Sequence, residues 1–319
     1  MRTSYGLCCN VLCLRERTPS VFPARRAVLK TVLESGGLET LRSRVIQNLN
    51  DVITILHWCD KHDIRAYRLS SDMFPHKSNP RAPDYDLDFA DDLLKEIGSL
   101  AREKGIRLTF HPGQYNVVGT PNEQHFAQTC VDLSYHAEVL DRMGMGIDSV
   151  MVVHGGGLYG DKKETIARWC DQFHRLPESV KARLVLENCE KCFSIEDCLE
   201  VSQAINIPVV FDTHHHSCYQ KLHPDIKLED GSHYIERILK TWTRRNIRPK
   251  FHVSEQGAGR VGHHSDYIEN IPIYLRELSN VDIMIEAKMK ERAIFRLRRK
   301  YEKPSGFPNP KLVIVKRIM

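Results

Sequence analysis

The chain has 319 residues, a net charge of +5, and 41% hydrophobic against 27% charged residues. That balance excludes a disordered polyelectrolyte and fits a globular protein. No apolar run approaches the roughly 18 residues that cross a bilayer, so no membrane partner is expected.

In chain order, one pattern recurs: a short apolar run ends in a polar residue and a helical stretch follows. RTSYGLCCN ends at Asn10. ETLRSRVIQNLNDVITILHWCDKHD then spaces Leu41, Val45, Leu49, Val52, Ile53 and Leu56 along one helical face. IRAYRLSS ends at Ser70 and precedes the helical DFADDLLKEIGSLAREKG, which stops at Gly105. IRLTFHPG brings His111, followed by EQHFAQTCVDLSYHAEVLDRMG with its stop at Gly144. SVMVVHGGG brings His154 and ARLVLENCE brings Glu187. SIEDCLEVSQAIN opens on Ser194 with Asp197 three residues later, the spacing of a capping box. IPVVFDTHH carries Asp212 and part of a histidine triplet, and GSHYIERILKTWTRRN follows as a helix. PKFHVSE supplies His252, SDYIENIPIYLRELSN reads as another helix, and VDIMIEAK ends the series at Glu286. Pro177 and Pro272 should break or bend their helices.

Eight such units, most with strands apolar on both faces, predict an α/β fold: a single TIM (β/α)8 barrel. An open doubly wound sheet is the alternative. No Gly-, Ser- or Pro-rich linker divides the chain. One domain is therefore expected over residues 1–300, with a basic, Pro-containing tail over 301–319. The first residues, MRTSYGLCCNVLCLRER, are too polar for a signal peptide, so an intracellular protein is expected. Of ten cysteines, only Cys189 and Cys192 form a C-x-x-C, with no second pair to complete a structural zinc pattern. Reduced thiols are expected.

In this fold, chemistry sits at the C-terminal ends of the strands. Six of the eight run ends carry His, Asp or Glu: His111, His154, Glu187, Asp212 with His215, His252 and Glu286. Any one alone reads as a hydrogen-bonded histidine or a surface acid. Together, carboxylates crowded into one mouth would repel each other unless a cation neutralised them. Mixed imidazole and carboxylate ligands suit zinc, manganese or iron, and shared carboxylates allow several ions. Spacing does not choose among His214, His215 and His216. In an extended segment Asp212 and His214 would share a side, with His215 on the other, but at a strand end the chain turns and this parity decides nothing. GAGRVG at 257–262 matches the dinucleotide fingerprint literally but runs into no helix, so a flexible loop is expected there. Gln114 and Tyr115 on HPGQYNVVG form an exposed amide–aromatic pair, suited to stacking on or wedging between bases. Lys162, Lys163 and Arg260 are candidate phosphate contacts.

The segments YRLSSDMFP, TFHPGQYNVVG, VMVVHGGG, LVLENCE, VVFDTHHH, KFHVSEQ and IMIEAKMKE, in that order, resemble the ultraviolet damage endonucleases, with apurinic endonuclease IV as a more distant relative. The resemblance implies a metal-dependent hydrolase that nicks damaged double-stranded DNA immediately 5′ to UV photoproducts, leaving 3′-hydroxyl and 5′-phosphate ends. It implies up to three divalent ions, manganese first and magnesium, cobalt or zinc as alternatives, held by His111, His154, Glu187, Asp212, His215, His252, His264 and Glu286. His264 is chosen over His263 because it leads into SDYI. Glu187, Glu286, His111 and Lys250, the last at the position of a carboxylated family lysine, form the expected catalytic set. Gln114, Tyr115, Asn10 and Tyr5 are the expected lesion contacts, and a monomer is expected. The compartment would be cytoplasm or nucleoid in a prokaryote, nucleus or organelle in a eukaryote. The rival readings are an apurinic endonuclease, a sugar isomerase or epimerase on the same barrel, and a metal-dependent DNA-binding module without cleavage.

Overall fold

A computed structural model of the chain describes residues 3–34 and 36–301. The expected tail, apart from Tyr301, lies outside the described residues. Eight strands run β1 (Ser4–Cys8), β2 (Ala66–Arg68), β3 (Arg107–Thr109), β4 (Met151–His154), β5 (Leu184–Glu187), β6 (Val209–Asp212), β7 (Lys250–Val253) and β8 (Asp282–Ile285). Each falls inside one of the eight apolar runs. All neighbours pair in parallel, in the order β3-β2-β1-β8-β7-β6-β5-β4. A lone bridge between Phe110 and Met151 joins the two ends and closes the barrel.

The larger helices are α1 (Gly37–Lys61), α2 (Asp91–Glu103), α3 (Glu123–Arg142), α4 (Lys162–Arg175), α5 (Ile195–Ile205), α6 (Thr213–Leu222), α7 (Ile235–Thr243) and α8 (Lys290–Tyr301). On α1, Leu41, Val45, Leu49, Val52 and Leu56 are buried, as their spacing predicted, while Ile53 from the same expected face is only half-buried. Gly105 and Gly144 end α2 and α3 with φ of +61° and +65°, a conformation that glycine adopts without a Cβ penalty. The Ser194–Asp197 capping box forms at the start of α5.

Strand parity separates two apolar regions. Tyr5, Leu7, Ile283 and Ile285 belong to the main core between sheet and helices. Cys8, Ala66 and Met284 form a small separate cluster inside the barrel. By the same parity, Arg68, His252 and Glu286 point inward.

In the helices the structure corrects one expectation, the helix over 265–280, and decides two that were open. The histidine triplet is not extended: it forms the first turn of α6, where successive side chains diverge by about 100°. Residues 265–280 are helical only over Ile273–Arg276, with Pro272 at the N-cap. The preceding backbone is held instead by Glu255, whose Oε1 accepts the N–H groups of Glu269 and Asn270, both at 2.9 Å. Pro177 does break the helical run, as expected: one helix ends at Arg175 and a short one, Glu178–Arg183, begins just after the proline.

Candidate metal centre

The inward-facing ends of β3 to β8 converge on Glu187. This glutamate is fully buried at the end of β5. Its Oε2 accepts from His111 Nε2 at 3.0 Å and lies 3.2 Å from His154 Nε2. Its Oε1 accepts from His252 Nδ1 at 2.8 Å and lies 3.6 Å from His215 Nδ1. Burial alone would raise the Glu187 pKa, but His252, His154 and His111 override it and hold the carboxyl well below the usual range.

Asp212 ends β6 and N-caps α6. Its Oδ1 accepts the backbone N–H groups of His214 and His215 at 2.7 and 2.8 Å. Its Oδ2 is buried without a hydrogen-bond partner. Asn188, next to Glu187, locks this corner. Its amide donates to the Asp212 carbonyl at 3.0 Å and accepts the Asp212 N–H at 2.9 Å. Its carbonyl accepts from His215 Nδ1 at 3.0 Å, so that Nε2 carries the lone pair whenever the ring is neutral. Within the triplet, His215 is therefore the residue facing the carboxylates. His216 bonds the Glu229 carbonyl at 3.1 Å, and His214 lies 3.5 Å from the Cys218 sulfur.

Among the described residues, three overlapping groups have ligand atoms within 4.8 Å of one another: His111, Glu187 and His252; His154, Glu187 and His215; and Asp212, His252 and Glu286. Glu187 and His252 each serve two groups. The donor set fits divalent ions of the borderline class. Asp212 Oδ2 and His252 Nε2 are buried without a hydrogen-bond partner, and His154 Nε2 has only its 3.2 Å approach to Glu187. Such orphans are costly, and a cation satisfies each of them.

Of the remaining predicted residues, His264 lies with Nε2 3.8 Å from Glu286 Oε2. His263 is exposed and accepts from Arg260 Nε at 3.1 Å. Lys250 is buried two residues before His252 on the same face, in register with Asp282. Its Nζ has no hydrogen-bond partner, and burial lowers its pKa to about 7. Asn10 lies just past β1, with its Oδ1 buried and unpartnered. Gln114 and Tyr115 are exposed. Lys162 donates to Asp197 at 2.8 Å and to the Tyr219 hydroxyl at 2.6 Å, so it is tied down within the fold.

Tyr5 is not brought to the mouth. It is buried in the outer core and borders a cleft with Thr3, Ile273, Leu278 and Tyr301. One residue of strand parity decides this: Gly6 and Cys8 face inward, so Tyr5 faces the helices.

Sequence reasoning missed two contributors. Arg68 at the end of β2 donates to Glu286 Oε1 and helps hold that carboxyl far below its usual range against the effect of burial. Its signal was parity with Ser70, two residues on. Asn188 stood beside Glu187 in LVLENCE without any sign of what it would hold.

A closed eight-stranded α/β barrel with a buried imidazole–carboxylate cluster at the strand ends defines a TIM-barrel protein with candidate divalent-ion sites at its mouth. The model of the UV-endonuclease UvdE family matches residues 3–309, and the chain belongs to that family of endonucleases. The UV DNA damage endonuclease of Bacillus velezensis is 33% identical, over 92% of this chain and 92% of its own length. The UV-damage endonuclease of Schizosaccharomyces pombe is 38% identical over 94% of this chain, which spans 51% of that protein. The crystal structure of SacUVDE superimposes with a TM-score of 0.83 at 30% identity, covering 95% of this chain and 100% of that one. Endonuclease IV from Thermus thermophilus shares the fold at a TM-score of 0.53 and 14% identity, covering 94% and 97%.

Proposed function

We propose that this protein nicks double-stranded DNA immediately 5′ to ultraviolet photoproducts, using up to three divalent ions with manganese as the native metal. The observation that carries this reading is the sharing of Glu187 and His252 among three ligand groups in one mouth, in a chain of the UV-endonuclease family.

His111, His154, Glu187, Asp212, His215, His252, His264 and Glu286 would hold the ions. Bound there, divalent ions supply Lewis-acid activation of water and charge neutralisation at phosphorus. The protein's own part is positional. Asn188 fixes Asp212 and His215, and Glu187 orients the imidazoles. Arg68 is a permanent cation beside Glu286 and offsets acidic charge on that side. Lys250, with its pKa brought to about 7 by burial, reaches at neutral pH the uncharged amine state that carboxylation requires. No Ser or Cys nucleophile is needed, and hydrolysis leaves 3′-hydroxyl and 5′-phosphate ends.

Selection of damage rests on deformability. A photoproduct weakens stacking and pairing, so bending and extrusion cost less there. Gln114 and Tyr115 would fill the gap, and Asn10 would contact the lesion from the β1 end.

The test is a plasmid assay. Irradiated and unirradiated supercoiled plasmid are incubated with the protein, with and without Mn²⁺. Nicks confined to irradiated plasmid in the presence of metal are expected. Absence of nicking at every metal concentration refutes the proposal; binding without nicking would make the chain a recognition module.

A further inference from the structure

Three stretches far apart in sequence meet on one buried carboxylate, Asp132 of α3. Its Oδ1 accepts the Ser78 hydroxyl and, at 3.3 Å, the Tyr115 hydroxyl. Its Oδ2 accepts the Asn116 amide at 2.7 Å. His136, one turn on, has Nδ1 3.5 Å from Oδ2 and bonds the Asp132 backbone carbonyl at 2.7 Å. Burial lowers the His136 pKa, so that ring is neutral at neutral pH. Asp132 itself is fully buried.

A buried carboxylate is costly unless its oxygens are satisfied. Here neutral donors satisfy them, and two of the donors belong to the loop that carries Gln114 and Tyr115. Hydrogen bonds to a charged acceptor are the strong ones. The tyrosine ring is also held along one edge. It lies back on Gly113, where a Cβ would come within 2.4 Å of the ring. The side chain is nonetheless 63% exposed. An exposed aromatic held by its hydroxyl, by its contact with Gly113 and by the next residue's amide has a fixed orientation. Ordering it on contact with DNA then costs little further entropy.

We propose that Asp132 is the positioning residue of lesion recognition: it presets the Gln114–Tyr115 loop, through Asn116 and the Tyr115 hydroxyl, in the conformation that enters damaged duplex. This rests on the wedge role proposed above for Gln114 and Tyr115. The partners of the Asp132 carboxylate, Ser78, Tyr115, Asn116 and His136, include none of the candidate metal ligands. The effect of Asp132 should therefore appear in binding of damaged DNA. Through Ser78 the same carboxylate holds the segment Ser71–Pro80, which with Tyr115 walls a cavity of about 330 Å³. The two loops are therefore tied as one unit.

Three single variants and one double variant separate the possibilities: Tyr115→Phe removes only the hydroxyl, Asp132→Asn keeps the shape but not the charge, Tyr115→Ala removes the ring, and the double variant combines Tyr115→Phe with Asp132→Asn. For each, kcat and KM are measured on irradiated and unirradiated duplex, along with bound metal and thermal unfolding. Tyr115→Phe and Asp132→Asn should each raise KM for irradiated DNA by about tenfold, or about 1.4 kcal/mol, with metal content as in wild type. The double variant should be no worse than Asp132→Asn. A role in folding alone would instead lower the melting temperature and the active fraction, and so kcat. If Tyr115→Phe matches wild type while Tyr115→Ala loses discrimination, the assignment to Asp132 is overturned and the wedge survives. If Tyr115→Ala keeps full discrimination, the wedge itself fails. Should Asp132→Asn not fold, Tyr115→Phe carries the test alone.

Discussion

Replacing Glu187 with Gln probes the centre with almost no change in shape. The carboxylate is fully buried and its two oxygens face four imidazoles, at 2.8, 3.0, 3.2 and 3.6 Å. It belongs to two of the three ligand groups, while Asp212, His252 and Glu286 make up the third without it. Glutamine keeps one acceptor oxygen but loses the charge. The variant should therefore lose two ions and keep one. Disturbing even a supporting partner of a metal ligand costs about 10- to 100-fold in affinity. Loss of a charged ligand shared by two sites should cost at least about 100-fold at each, or about 2.7 kcal/mol. Equilibrium dialysis against Mn²⁺ followed by elemental analysis reads the stoichiometry, and circular dichroism checks the fold. Asp212→Asn serves as the reciprocal control, weakening the third group alone. A Glu187→Gln protein that binds as many ions as wild type, with unchanged affinity, refutes the shared-carboxylate arrangement.

Three further outcomes follow from the geometry. In metal-free protein, Asp212, Glu187 and Glu286 outweigh burial and raise His215 from 6.5 to about 10; that stabilisation is complete below pH 6.5 and is lost as pH rises through 10. Chelated protein should therefore melt at progressively lower temperature across that window. Metal-loaded protein should not, because ligating imidazoles are already unprotonated; a flat profile for chelated protein counts against the assignment. Neutralising exposed Lys163 or Arg260 should reduce the slope of log affinity against log salt by about one, whereas Lys162→Met, which breaks bonds to Asp197 and Tyr219, should leave it unchanged. Equal slopes for all three variants would remove Lys163 and Arg260 from the DNA path. Gly113→Ala sets a methyl 2.4 Å from the Tyr115 ring and should displace it, cutting discrimination between irradiated and unirradiated DNA with bound metal unchanged.

The strands were legible because parallel strands buried on both faces must be apolar throughout and turn polar only where they reach the mouth. The order of Asn10, Ser70, His111, His154, Glu187, Asp212, His252 and Glu286 along the chain is thus also an order around a ring. Local capping chemistry was legible too, as Ser194 and Asp197 show. Helix α6 was harder, because THHHSCYQKL lacks an apolar stripe. Its start is set by the Asp212 side chain, a residue that also read as the end of a strand. Helix α4 went unread although Ile166, Trp169 and Phe173 are spaced on one buried face. The predicted helix over 265–280 failed because Pro272 offers no N–H and Glu255, from another turn, captures the backbone before it. The partnership of Asp132 with Asn116 and Ser78 spans 16 and 54 residues of sequence. No local pattern announces such a contact.

The closure of the barrel has a mechanical consequence. Every other neighbouring pair of strands shares two to four paired residues. The β3–β4 junction has one bridge, Phe110 with Met151, held by two backbone hydrogen bonds of 3.0 Å. His111 is the next residue on one side of that junction, and His154 and Glu187 stand on the other. An ion ligated by His111 and Glu187 would act as a staple across the thinnest line of the wall. Stripping the metal would then loosen this flank first. Amide hydrogen exchange at Phe110 and Val152 should accelerate on chelation before exchange on the β7–β8 side does.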